Sequence, residues 1–290
     1  MTNHIYQPNC ENSSSVNWHC SAIAFGDFIV DCLFMRFASP GSKLLAASYF
    51  RPLADAIKYD GPVRYFNMAS HDIPPSLFNV RKAGIRDVLQ SLVQLRRSIL
   101  DATDAHDTVT VPHHDIRWRL ACSPRRTIAV RRKHENIYLA YCAHLGLDAE
   151  RLVIPPSPNC DEVLVFPDSR QMAKQIPEAT LKAVTEANMR VGIRTRIVRV
   201  RPPDPLRIEQ PGESSLWGLP NLVDCIRNAG AIVSADSLPG HLAEYFKRPA
   251  YILTPRSNEP LMPLSVLLCK RWSCFDDLSA YEHYVRENHA

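Results

Sequence analysis

The chain has 290 residues, 46% of them hydrophobic and 22% charged, which suits one large globular domain or two ordinary ones. No apolar run approaches the roughly 20 residues that span a bilayer, and the N-terminus lacks the basic start and apolar centre of an export signal, so a cytoplasmic protein is expected. The formal charge is only +4, and nine cysteines without CxxC spacing read as reduced thiols rather than a disulfide or zinc framework.

In chain order, "CSAIAFGDFIVDCLFMRFA" predicts a short strand, a glycine turn and an apolar helix. "SKLLAASY" and "VRYFNM" read as further strands. Ile85, Val88, Leu89, Leu92, Leu95 and Ile99 recur at helical spacing and predict an amphipathic helix within 78–100. "DTVTVP" and "RTIAV" follow as strands, and "ENIYLAYCAHLGL" as a helix ended by Gly146. Three prolines between Val153 and Glu162 then interrupt all periodicity. Beyond them, "EVLVFPDS" is a strand stopped by Pro167, and "PEATLKAVTEANMRVG" is a helix with Pro177 at its start. "TRIVRV" is a strand, "GLPNLVDCIRNAG" a helix ended by Gly230, and "AIVSA" a strand. "LPGHLAEYFKRP" is a helix, "AYILTP" a strand, and "CFDD" opens the last helix. Strands alternating with helices predict an α/β chain of parallel sheets. Two Rossmann-like domains, residues 1–155 and 156–290, are expected to face a central cleft.

Ligands of open parallel sheets bind beyond the carboxyl ends of strands, which selects three corners. At the first, Gly26 and Asp27 follow an apolar strand, and a carboxylate there can act as a general base or merely cap a helix. Asp31, one turn later, is a weaker substitute. At the second, Ser169, Arg170 and Lys174 lie between a strand and a helix, where a lysine can neutralise a diphosphate or sit as a surface charge. At the third, "ADSLPGH" places Asp236, Ser237, Leu238, Pro239, Gly240 and His241 at a helix start. Unpaired N–H groups and the positive dipole end suit a phosphate there, with Gly240 allowing close approach and His241 donating to an anion. On spacing alone, an N-cap beside a satisfied histidine fits equally well.

His113 and His114 follow a strand of the first half and are candidates for lining the cleft. Neither they, "DATDAHD" nor Cys10 with His19 and Cys20 has a complete metal-ligand spacing, so no metal site is expected. A Walker lysine loop, GxGxxG and GxSxG are all missing. Arginines crowd 117–133, from Arg117 to Lys133, and 190–207, which suits phosphate-bearing partners. No nucleic-acid partner is expected, because no aromatic-interleaved basic motif or known reading module accompanies them.

The segments "AFGDFIVDCLF", "TVPHHDIRWRLACSPRRTIAV", "FPDSRQMAKQIP" and "ADSLPGHLAEYFKRPAYIL", in this order, resemble the heptosyltransferase-like enzymes of glycosyltransferase family 9. The likeness runs from about Ser21 to Pro255. It departs at Ile176, where the family has an aromatic residue, and at Asp168, where it has glycine. The resemblance implies a GT-B fold with an N-terminal acceptor domain and a C-terminal nucleotide-sugar domain. It implies metal-independent, inverting transfer of a sugar, often heptose from ADP-heptose, onto a lipopolysaccharide core, with no cofactor beyond the nucleoside-diphosphate sugar. Carried over, Asp27 is the base; Ser169 and Lys174 hold the donor phosphates; Asp236 orients the donor; and Ser237, Leu238, Gly240 and His241 present the helix start. Gly26, His113, His114 and Arg117 fall on the acceptor side. The acceptor would be an anionic glycan or glycolipid, with the protein peripheral to the cytoplasmic membrane. A protein or small-molecule acceptor, or a degenerate fold that binds without turnover, are the alternatives.

Overall fold

The computed structural model describes residues 15–21, 24–67, 84–113, 115–132, 134–156, 160–169, 171–201, 212–256 and 258–289. Five strands of the first half, β1 (Asn17–Ser21), β2 (Ser42–Ala47), β3 (Val63–Phe66), β4 (Thr108–His113) and β5 (Arg126–Arg131), form one parallel sheet in the order β3-β2-β1-β4-β5. Six strands of the second half form another: β6 (Glu162–Phe166), β7 (Arg194–Val200), β8 (Glu213–Leu216), β9 (Ala231–Ala235), β10 (Ala250–Thr254) and β11 (Trp272–Cys274). Its order is β11-β10-β9-β6-β7-β8, again all parallel. Each half is therefore doubly wound, with its first strand central and the order reversing beside it, between β1 and β4 and between β6 and β9. Sheets covered on both faces need continuous apolar strands, and β9 and β10 are buried along their whole length.

The first half carries α1 (Phe25–Phe34), α2 (Arg51–Ile57), α3 (Ile85–Ala102), α4 (Ile116–Cys122) and α5 (Ile137–Leu145). The second carries α6 (Glu178–Arg190), α7 (Leu219–Arg227), α8 (Leu238–Tyr245), α9 (Leu264–Leu268) and α10 (Ser279–His289). Several sequence expectations shift. The amphipathic helix begins at Ile85, residues 78–83 lying outside the described ones, and it buries Ser91, Leu95, Ile99 and Ala102 while Ile85 and Leu89 stay exposed. Helix α7 stops at Arg227, and Gly230 serves another purpose: a Cβ there would stand 2.8 Å from Cys160 Sγ. In "CFDD", Cys274 ends β11 and the rest leads by a turn into α10, with Asp277 Oδ1 accepting from the Ser279 N–H at 3.1 Å. Helices α2, α4 and α9 and strands β8 and β11 were not anticipated from the sequence. Helix α5 ends as expected, with Gly146 in the left-handed region at φ 68°.

The halves meet through an apolar cluster of Val30 and Phe34 from α1, Ile137, Tyr138, Tyr141 and Cys142 from α5, and Leu264 from α9. Polar ties cross the same seam. Asn136 Nδ2 donates to the Met262 carbonyl at 2.9 Å, and Arg36 stacks over the Tyr245 ring at 4.1 Å. The proline-rich stretch is held from the second half, Ile154 N–H donating to Ser265 Oγ and Arg271 Nη1 to the Ile154 carbonyl, both at 2.8 Å. No helix among the described residues is long and apolar enough to cross a membrane.

Candidate functional site

The carboxyl ends of the central strands deliver the three corners to one place. β1 leads into α1, β6 into the Pro167–Lys174 segment, and β9 into α8. Gly26 does not form the glycine turn expected before α1. Ala24 is an extended N-cap, and Gly26 and Asp27 lie inside the first helical turn. Gly26 is glycine for a different reason: a Cβ on it would fall 2.7 Å from His241 Cδ2 and 3.0 Å from His241 Nε2. Corners one and three thus touch through a position that tolerates no side chain.

Asp27 gains from the positive end of the α1 dipole, but loss of hydration dominates and pushes its carboxyl up to about 6, with Arg131 opposing. Asp31 is fully buried, accepts a hydrogen bond from the Tyr141 hydroxyl and is pushed up to about 7 by desolvation. That burial corrects its reading as a substitute base: no acceptor reaches it.

The start of α8 bears on the two readings of "ADSLPGH". Asp and Ser are strong helix caps, yet Ser237, the N-cap, makes no side-chain capping bond. Its hydroxyl donates instead to the Ala235 carbonyl at 3.2 Å. Asp236 does not cap either. Its Oδ2 accepts from Lys174 Nζ at 2.7 Å and from Asn258 Nδ2. Corners two and three are therefore joined by an ion pair, and no side chain of the motif fills the first turn of α8. Only one of the three Lys174 ammonium hydrogens is needed by Asp236. Gly240 is not left open for a ligand, as the sequence suggested; it is buried, and a Cβ there would stand 2.7 Å from Ile252 Cδ1. It brings α8 close to β10.

His241 is half-buried at this junction. Its Nδ1 lies 2.8 Å from the Tyr138 hydroxyl, and the rings stack with centroids 6.0 Å apart. Burial lowers its pKa to about 4, so the ring is neutral near pH 7. A neutral ring can still donate to an anion: a donating Tyr138 hydroxyl leaves the ring proton on Nε2, beside Gly26. Tyr138 and Asn258 were missed by sequence reasoning, since neither stands in a recognisable spacing, and Arg131 was read only as part of the basic stretch 117–133. Tyr138 carried a weak signal as a hydroxyl-bearing ring in the buried helix "IYLAYCAHL".

On the first-half side, His113 ends β4, and burial and nearby Arg131 hold its pKa below the usual imidazole range. His114, Arg170 and Cys10 lie outside the described residues. Arg117 is held by Asp115, its Nε donating to Oδ1 at 2.8 Å, so the charge assigned to an acceptor is already matched within α4. Arg125 is likewise turned away, its Nη2 donating to the Thr103 carbonyl at 2.8 Å. A cavity of about 340 Å³ runs beside α4 and β5, lined among others by His113, Asp115, Trp118, Arg119 and Thr127. Ser169 is half-buried, with Oγ accepting from the Gln171 N–H at 3.3 Å. Among the described residues no cluster of three metal-capable side chains occurs, and the eight described cysteines are free thiols.

No protein-family model and no curated sequence matches the chain. Solved structures do match in fold. Heptosyltransferase WaaC of E. coli, solved with ADP, shares 13% identity at a TM-score of 0.54, covering 94% of this chain and 99% of its own. The same enzyme with ADP-2-deoxy-2-fluoro heptose aligns at 14% identity and a TM-score of 0.52, with the same coverage. A family 9 glycosyltransferase from Veillonella parvula aligns at 14% identity and a TM-score of 0.57, covering 94% of this chain and 89% of its own. The chain has the heptosyltransferase-like GT-B fold that its sequence pattern implied.

Proposed function

We infer that the chain is an inverting glycosyltransferase that moves a sugar from a nucleoside diphosphate to a hydroxyl of a glycan or glycolipid. An ADP-linked, heptose-like donor is favoured by the fold relatives solved with ADP and an ADP-heptose analogue. The observation that carries the reading is the start of α8: a helix terminus with two strong capping residues, neither of which caps it, beside Lys174 and abutting the turn that bears Asp27.

Departure of a nucleoside diphosphate develops negative charge, which the α8 N–H groups and the Lys174 ammonium stabilise from fixed positions. Lys174 and Ser169 hold the phosphates in this reading, and Asp236 keeps Lys174 in place. Asp27, anionic above about pH 6, takes the acceptor proton as the acceptor oxygen attacks the anomeric carbon from the face opposite the leaving group. The new C–O bond forms as the bond to the diphosphate breaks, and the anomeric centre inverts without a covalent intermediate. No metal takes part in these steps. In this reading residues 1–155 form the acceptor domain and 156–290 the donor domain.

The test pairs binding with turnover. ADP is expected to raise the melting temperature of the wild type and of Asp27→Asn alike, because binding only to the folded state stabilises it. Sugar transfer should fall by about a thousandfold in the variant, the middle of the range for a positioned general base. Retained turnover in Asp27→Asn removes the base, and no response to any nucleoside diphosphate removes the donor site.

A further inference from the structure

Helix α3 carries more apolar surface than its sheet uses. Its buried sector is Ser91, Leu95, Ile99 and Ala102, yet Ile85, Leu89 and Val93 form a second stripe at four-residue spacing on a solvent-facing flank. Helix α4 repeats the pattern, burying Trp118, Ala121 and Cys122 while Ile116 and Leu120 face outward. These five side chains are between 48% and 78% exposed. The helices pack against each other, and Arg96 Nη1 donates to the Leu120 carbonyl at 2.8 Å, fixing the two stripes side by side. Isolated exposed leucines are ordinary, but five large ones on two adjoining helices form a patch that water alone does not explain.

The surrounding charge is one-sided. At about 100° per residue, Arg86 and Arg97 border the α3 stripe and Arg96 falls within it, whereas Asp87 and Asp101 lie toward the opposite side. Arg119 is exposed on α4, next to Leu120, and also lines the cavity beside β5. Arg126 is exposed at the start of edge strand β5. In a parallel α/β sheet a crossover helix starts at the carboxyl edge of the strands, so the Ile85 and Ile116 ends lie toward the candidate cleft. The α4 cap, Asp115, stands two residues beyond His113.

We propose that this face of α3 and α4 docks on an anionic lipid bilayer, with Ile85, Leu89, Val93, Ile116 and Leu120 in the interface and Arg86, Arg96, Arg97 and Arg119 against lipid phosphates. An apolar stripe rimmed by arginines is the composition that interfacial helices use, apolar area and electrostatic attraction acting together. The inference deepens the glycosyltransferase reading, since it would bring the acceptor domain to a membrane-borne acceptor, but its test needs neither donor nor turnover.

The full chain is floated with vesicles of phosphatidylcholine containing about one-quarter phosphatidylglycerol and with phosphatidylcholine alone, at about 0.05 M and about 0.5 M salt. Binding is expected on the anionic vesicles at low salt, weakened by salt and weakened about tenfold or more by Leu89→Glu with Leu120→Glu. Both positions are exposed, and an unchanged melting temperature confirms that the variant folds. Arg86→Gln with Arg97→Gln is the second variant and should remove the preference for anionic vesicles. Wild-type protein that stays with neither vesicle overturns the proposal, as does undiminished binding by the glutamate variant. A wild-type dimer that the glutamate variant converts to monomer, without vesicle binding, assigns the face to a second copy and also overturns it. Vesicle binding by a protein whose melting temperature no nucleoside diphosphate shifts leaves the docking face standing and rejects the enzyme reading.

Discussion

Gly26→Ala is a one-methyl test of whether the first and third corners truly form one site. Gly26 is helical, so alanine would ordinarily help by up to about 1 kcal/mol. Here the added Cβ falls 2.7 Å from His241 Cδ2, inside any normal contact distance. The ring cannot simply swing away, because Tyr138 holds its Nδ1 at 2.8 Å and stacks on it. Overpacking of a fixed group costs about 1–3 kcal/mol, and losing the Tyr138 bond leaves a buried hydroxyl unpaired for about 1–3 kcal/mol more. The net expectation is a destabilisation of about 1–5 kcal/mol, or several degrees of melting temperature.

The decisive measurement is a double-mutant cycle by urea denaturation, with the ADP-induced melting shift read in parallel. Removing the ring with His241→Ala gives the new methyl room, so Gly26→Ala in that background should be neutral or slightly stabilising. The coupling between the two changes should reach about 2 kcal/mol. Gly26→Ala that matches or exceeds wild-type stability, or effects that merely add, refutes the contact and with it the convergence of the corners.

Other expectations follow from the same geometry. Lys174→Ala should weaken ADP binding by about tenfold or more in calorimetry, since a charge-assisted hydrogen bond contributes about 1.5–3 kcal/mol; affinity within twofold of wild type would remove Lys174 from the donor site. Asp31→Asn should gain on the wild type as pH rises from about 4 to 7. The wild-type carboxyl moves from an ordinary 3.8 to about 7 on folding, so the native state is favoured while it is protonated and loses that advantage, up to about 4 kcal/mol, as pH passes through 7. Parallel stability curves for the two proteins from pH 4 to 8 would refute the burial argument.

Much of the fold was legible because both sheets depend on continuous apolar strands, and "EVLVF", "AIVSA" and "AYILT" announce themselves by composition. The short elements were not, because "IRWRLAC" buries only three residues and its arginines speak louder in the sequence than Trp118. The site divides along a similar line. Asp236, Ser237 and Lys174 were visible as chemistry at strand ends, but sequence could not say what their side chains do. A cap and a ligand seat are written with the same letters, and only the structure shows that neither side chain caps the helix: Asp236 spends its oxygen on Lys174 and Asn258, and Ser237 turns to Ala235.

The glycines sharpen that point. Gly26 read as a turn and Gly240 as an opening for a ligand, both from the residue's local freedom. Neither has a left-handed φ. Each is small because a distant residue occupies the space, His241 for Gly26 and Ile252 for Gly240. Gly240 thereby lets α8 lie close on β10, and Gly26 lets α1 from the other half approach His241. Local reading of the two glycines gave the wrong reason for each. The physical constraint is long-range, and at Gly26 it acts where the two halves of the chain meet.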